Sequence, residues 1–171
     1  MFDIADVTSL ATRPHSYVFV LFNQMKRVKT VGRLGRLEFR PGFYLYVGSA
    51  RKNVLKRVKR HMRATKRIHW HIDYLTTGSG RMKPVDAYIF HGEFECEIAQ
   101  FLSRMLATIR GFGSSDCRCK GHLFYAGRMP VLKQVVDKLI LRFGTAKAGT
   151  LSNSRGCPGP APGFVSGALS R

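Results

Sequence analysis

The sequence predicts an α/β domain of the α+β kind, a small sandwich of helices around a mostly antiparallel sheet. Short runs rich in β-branched and aromatic residues crowd the first fifty positions. Apolar residues at helical spacing take over from residue 53, and strand-like runs return at 85–91 and 122–126. The 171 residues amount to one domain's worth of chain, enough to bury a core.

Residues 1–14 read as an N-terminal arm, followed by a domain over 15–143. SYVFVLF (16–22) is a buried strand by its length and its β-branched and aromatic content. VKTVG (28–32) and RLEF (36–39) are short strands either side of a Gly-containing turn, and FYLYVG (43–48) is a strand stopped by Gly48-Ser49. Within 53–64, Val54, Leu55, Val58 and Met62 recur at helical spacing, and a second helix is expected over 67–77. VDAYIFH (85–91) is a strand, 94–110 a helix closed by Arg110-Gly111, and GFGSSDCRCKG a loop. HLFYA (122–126) is a short strand, and 130–143 a helix with Pro130 at its start. From Gly144 the composition changes: 144–171 holds six Gly, three Pro, four Ser and no acidic residue, and reads as a disordered tail.

The 29 Lys and Arg against 10 Asp and Glu give a net charge of +19, which attracts polyanions. The tail holds only three of the bases (Lys147, Arg155 and Arg171), so the charge belongs to the folded part. Nucleic acid is the expected partner, with an anionic membrane surface as the rival. No stretch approaches eighteen uncharged apolar residues, and the first residues lack the basic start and apolar run of a secretory signal. Four cysteines without regular spacing do not read as a disulfide framework, so a reducing cytoplasm is expected.

Nine of the seventeen residues 51–67 are Lys or Arg. At about 100° per residue, Val54, Leu55, Val58 and Met62 form the inward arc of a helix. Arg57 and His61 lie together on one border of that arc; Lys56, Lys59, Arg60 and Arg63 face away. The outward bases, with Lys52, Lys66 and Arg67, are expected to meet a phosphate backbone, in a salt-sensitive manner. Arg57, beside the core and the end of the aromatic strand, needs a fixed anion; phosphate suits its fork, and an internal salt bridge is the alternative. Glu95 stands in line with Ile98, Ala99, Leu102, Met105, Leu106 and Ile109, so it faces inward while Glu93 and Glu97 do not. A carboxylate so placed is either a helix-dipole partner or a group offered to a divalent ion beside a phosphate.

Together, Tyr17 in SYVFVL, Tyr46-Val47-Gly48, Arg57 in LKRVKRH and Glu95 resemble the GIY-YIG nuclease superfamily. GFYLYVGSA, KRIHWHIDYL, the EC of FECEIA and GFGSSDCRCKGHLF resemble its Uri-type branch, over roughly residues 15–126. The resemblance implies a three-stranded antiparallel sheet flanked by helices, one Mg²⁺ or Mn²⁺, and hydrolysis of a DNA phosphodiester by one-step in-line attack of water. Tyr17 would then be the general base or water-orienting group, Tyr46 would line the site near the scissile phosphate, and Gly48 would let the backbone turn tightly. Arg57 would stabilise charge growing on the phosphate, His61 would assist at the edge, and Glu95 would hold the metal. Ser16-Tyr17-Val18 lacks the family's usual glycine, no late structural asparagine is placed, and the 29 positions from Tyr17 to Tyr46 leave VGRLGRLEFRPG as a hairpin insertion beside the site.

For Cys96, Cys117, Cys119 and His122 two readings stand: buried thiols with a loop-closing histidine, or a Zn²⁺ site of unusually tight spacing. His69, His71 and Asp73 diverge on a helix, which favours DNA contact or packing around Trp70 over metal binding. Two functions remain: a metal-dependent DNA nuclease, or a non-catalytic module that binds DNA or RNA with the same basic surface.

Overall fold

The computed structural model describes residues 4–144, with side-chain environments from residue 8 onward. Apart from Gly144, the tail expected over 144–171 lies outside the described residues. The elements run α1 (Ile4–Thr12), β1 (His15–Asn23), β2 (Arg27–Thr30), β3 (Arg36–Phe39), β4 (Gly42–Ala50), α2 (Val54–Met62), α3 (His71–Thr76), β5 (Lys83–His91), α4 (Glu95–Ser103), β6 (Ala107–Ile109), β7 (Leu123–Gly127) and α5 (Met129–Phe143).

The main sheet has five strands in the order β5-β1-β4-β7-β6, not three, and each neighbouring pair is antiparallel. The two extra strands come from the C-terminal half. HLFYA pairs with β4 as β7, and the segment expected to end the helix over 94–110 pairs with β7 as β6. The helical spacing of Met105, Leu106 and Ile109 was misleading. The helix stops at Ser103, and Ile109 packs with the opposite side of the sheet from Ile98 and Leu102. The second helix is also shorter than 67–77, because Asp73 receives the backbone N–H groups of His69 and Trp70 and so starts the helix at His71.

Strand alternation sorts the side chains cleanly. Tyr17, Phe19 and Leu21, with Tyr44 and Tyr46, face one side, where Val54 and Val58 of α2 and Ile72 and Leu75 of α3 cover them. Val18, Val20, Leu45, Val47 and Phe90 face the other, under Ile98 and Leu102 of α4 and Leu132, Val136 and Leu139 of α5. The N-terminal arm is itself helical: Leu10 of α1 is buried in the first layer, and Ala11 O accepts the Asn53 N–H at the start of α2.

The insertion forms a separate two-stranded ribbon, β2-β3. It leaves the sheet at the paired ends Asn23 and Gly42, six residues from Tyr17 and hence roughly 20 Å along the strand. Asn23 Nδ2 ties it there by donating to Phe39 O and Arg40 O. None of its residues lines the cleft described next, which corrects the expected place beside the site.

Candidate functional site

A cleft of about 320 Å³ opens over the sheet where β1 begins and β4 ends, and Tyr17, Tyr46, Arg57 and Glu95 all line it. Ser49, Trp70, His71, Gly113 and Asp116 complete much of its wall. Four sequence-distant candidates therefore share one site, brought together by strand register: Tyr17 pairs with Gly48, and Phe19 with Tyr46.

Tyr17 is fully buried, and its ring lies across Gly48. A Cβ at Gly48 would fall 2.5 Å from Tyr17 Cζ, so glycine is required for close approach. The strand does not turn there; β4 continues through Ser49 to Ala50, which corrects both the expected stop and the expected role of Gly48. The Tyr17 hydroxyl meets His61 Nε2 at 2.8 Å. His61 is buried rather than at the rim, and its Nδ1 has no hydrogen-bond partner but faces Asp73 Oδ1 at 3.8 Å.

Burial pushes the Tyr17 phenol far above its ordinary value, against the small opposing pull of Arg57, and burial likewise raises Tyr46. Burial lowers His61 below 6.5 despite the Asp73 carboxylate. Tyr17 is thus a neutral phenol beside a neutral imidazole, and its O–H donates to Nε2 when the ring proton sits on Nδ1, toward Asp73. A proton accepted by the Tyr17 oxygen can be passed on to Nε2, and the resulting imidazolium would have a carboxylate behind it.

Asp73 is the residue that sequence reasoning misjudged. It is fully buried and held by a two-pronged ion pair with Arg60, 3.0 Å on each oxygen, as well as by the two backbone N–H groups. Burial opposes its charge, but the His61 ring facing it, the Arg60 ion pair and the backbone N–H groups win and hold it ionised, far below the usual carboxylate range. A signal was available: Asp73 is the only acidic residue between Glu38 and Asp86, in the most basic part of the chain.

Arg57 has no ion-pair partner among the described residues, and its guanidinium lies 4.6 Å above the Trp70 ring. The internal salt bridge is therefore absent there, and a cation faces the cleft free to take an anion. Glu95, in the first turn of α4, accepts from Ser49 Oγ on one oxygen and from His122 Nδ1 at 3.0 Å on the other. Burial alone would raise its carboxyl; the bonds from His122 and Ser49 and the Arg57 charge bring it below its ordinary value. Ser16, in the motif that lacks the usual glycine, also has a task. Its hydroxyl accepts the Phe94 N–H at 2.7 Å and donates to Gly92 O, fixing the start of α4 and so of Glu95.

Lys52, Lys56, Lys59, Arg63 and Arg67 are exposed as expected. Arg60 and Lys66 are corrections. Arg60 turns to Asp73 and stacks on Trp70, while the Lys66 ammonium is buried against His61 O, Arg63 O and Thr76 Oγ1. Burial lowers Lys66 to about 8. Both spend their charge inside the fold. His69, His71 and Asp73 do not converge on a metal: Asp73 caps α3, and His71 Nδ1 accepts the Gly113 N–H at 2.9 Å.

The family model described as a domain of unknown function, DUF123, matches residues 16–145. The chain belongs to the DUF123 family. The match runs from the start of β1 to just past α5, so every cleft residue lies inside it. No curated protein and no solved structure matches the chain. Among the described residues of this DUF123 chain no helix is long and apolar enough to cross a membrane.

Behind Glu95 the chain also assembles a Cys/His group that could hold a metal ion. The sulfur atoms of Cys96, Cys117 and Cys119 and a ring nitrogen of His122 lie within 4.8 Å of one another. Burial pushes the Cys96 and Cys119 thiols up, Cys119 to about 12. Cys96 comes from the first turn of α4, more than twenty residues before the other three, yet its sulfur lies among them.

Proposed function

We propose that the DUF123 domain of this chain is a metal-dependent nuclease that hydrolyses DNA phosphodiester bonds by one-step in-line attack of water. The observation that carries this reading is that Arg57, without an ion-pair partner among the described residues, shares a cleft with Glu95 and with Tyr17, whose hydroxyl is backed by His61. The resemblance to Uri-type GIY-YIG nucleases supports it independently.

Arg57 would bind a non-bridging phosphate oxygen and neutralise the charge that grows there. Tyr46 and Trp70 line the cleft and would limit water around the phosphate. As the water oxygen bonds to phosphorus and the ester oxygen departs, the water proton moves to the Tyr17 oxygen, and the Tyr17 proton to His61 Nε2. Asp73 would stabilise the imidazolium that results, and solvent returns a proton to the leaving alkoxide.

The donors at Glu95 are all oxygens, with Ser49 Oγ and the cleft residue Asp116 nearby, and they fit a hard ion that keeps several waters, Mg²⁺ or Mn²⁺. When bound, such an ion supplies Lewis-acid stabilisation of the phosphate. The thiol-rich group suits a softer ion, Zn²⁺. The exposed bases Lys52, Lys56, Lys59, Arg63 and Arg67 would follow the phosphate backbone away from the cleft.

The test separates cleavage from binding. End-labelled single- and double-stranded DNA and RNA are incubated with the full chain, with Mg²⁺ or Mn²⁺ and with chelator. Metal-dependent cleavage of DNA is the expected result. Salt-sensitive binding without cleavage would instead make the domain a non-catalytic nucleic-acid-binding module.

A further inference from the structure

The geometry points to a structural Zn²⁺ site in which Cys96, Cys117, Cys119 and His122 are the four ligands and His122 transmits the metal's position to Glu95. Around a tetrahedral zinc, bonds of about 2.3 Å to sulfur and 2.1 Å to nitrogen set donor atoms roughly 3.5–3.8 Å apart. Cys117 Sγ and His122 Nε2 are 3.4 Å apart already, and the widest donor pair of the group is no more than 4.8 Å. Drawing in by about 1 Å closes the tetrahedron at those bond lengths.

Three features beyond the ligand set favour a metal over a chance gathering of thiols. His122 is buried, and its two ring nitrogens are divided between the two jobs a zinc-binding histidine performs. Nε2 points at the sulfurs, while Nδ1 meets the Glu95 carboxylate at 3.0 Å, the carboxylate–histidine–zinc arrangement. The ligand backbone is preset, since His122 N donates to Phe112 O and Gly111 N to Lys120 O, closing the neck of the loop that carries Cys117 and Cys119. Exposed Arg118 and Lys120 alternate with those cysteines, so the net negative charge of three thiolates on one Zn²⁺ is met locally.

Binding releases the three thiol protons and forms three Zn–S bonds and one Zn–N bond, with no change of oxidation state. It would staple the loop before β7 to the first turn of α4. That loop also supplies Gly113 and Asp116 to the cleft. Metallation at Nε2 leaves the His122 proton on Nδ1, where it donates to Glu95 and fixes that carboxylate's orientation. His122 is thus a positioning residue for Glu95.

The site is tested by metal content and spectroscopy, which stand apart from any cleavage assay. The full chain, produced with zinc and kept reduced, is expected to carry one Zn²⁺. Exchange with Co²⁺ is expected to give the intense visible bands and sulfur-to-metal charge-transfer absorption of a tetrahedral thiolate site. Cys117→Ser should weaken binding by more than the roughly 10–100-fold typical of losing an outer partner, and Glu95→Gln by about that outer-partner amount. Cys157→Ser, which alters the remaining cysteine, should leave the spectrum unchanged. A reduced wild-type chain that holds no zinc and gives only the weak spectrum of octahedral Co²⁺ would overturn the site. Loss of the spectrum in Cys157→Ser with retention in Cys117→Ser would do the same. Should Cys117→Ser fail to fold, the wild-type stoichiometry and cobalt spectrum decide alone.

Discussion

Two buried histidines flank the cleft, and they are built differently. His61 touches Tyr17 on one nitrogen and faces Asp73 with the other. His122 touches Glu95 on one nitrogen and faces a thiol with the other. Each links a cleft group to an anchor behind it. The anchors differ: Asp73 is enclosed by Arg60 and two backbone N–H groups, whereas the thiols behind His122 are three free cysteines. The first assembly is complete within the protein and can pass a proton. The second ends in soft donors and can hold a metal. A histidine's role is therefore set by what stands behind it, more than by its distance from the cleft.

The comparison breaks most severely at Asp73. Replacing it with Ala leaves Arg60 and the amide groups of His69 and Trp70 without their acceptor, and the expected loss is about 3–5 kcal/mol of stability, read by chemical denaturation. The same anchor sets an acid limit. The folded pKa of Asp73 is depressed, so its contribution is complete above the unfolded value of 3.8 and is lost as pH falls from there toward the folded value. A stability curve flat from pH 6 down to pH 2 would contradict this.

His61→Gln is expected to keep the fold while slowing single-turnover cleavage by about 10²–10⁴-fold. In the wild type the rate should be level at neutral pH and decline below 6.5, as His61 takes up a proton and can no longer accept one from Tyr17. An acid limb that persists unchanged in His61→Gln would remove His61 from the proton path. Gly48→Ala should cost about 1–3 kcal/mol by forcing the Tyr17 ring off His61. The smallest effects belong outside the cleft. Alanine at Lys52, Lys56 or Lys59 should leave stability within about 0.5 kcal/mol of wild type. Each should also reduce the salt slope of DNA binding by about 1, whereas Lys66→Ala should chiefly destabilise.

Much of the fold was legible because strand and helix periods differ. β1, β3, β4, β5 and α5 appear close to their expected limits, and the inward arc of α2 holds Val54 and Val58 as expected. The failures have two causes. Residues 104–110 carry a helical apolar pattern, yet pairing with β7 overrides it, and pairing with a strand fourteen residues later is invisible to a local window. Side-chain capping by Asp73 cut the second helix short. At the site, Tyr17, Tyr46, Arg57 and Glu95 could be named from short motifs, because each sits within a strand or helix that the local pattern itself predicts. The Asp73–Arg60 pair, the Ser16 contact with Phe94 and the ring orientation of His122 toward Glu95 could not, since these partners are 13, 78 and 27 residues apart in sequence.

Chemistry at the cleft and binding to the basic surface are separated by one measurement. Cleavage and binding of end-labelled DNA are followed together in Mg²⁺ for the wild type, Arg57→Ala and Glu95→Ala. The expected result is metal-dependent cleavage by the wild type and a loss of about 10²–10³-fold in Arg57→Ala with binding largely retained. Glu95→Ala should show at least as large a loss. Cleavage absent from the wild type, or equal in all three proteins, would contradict the account.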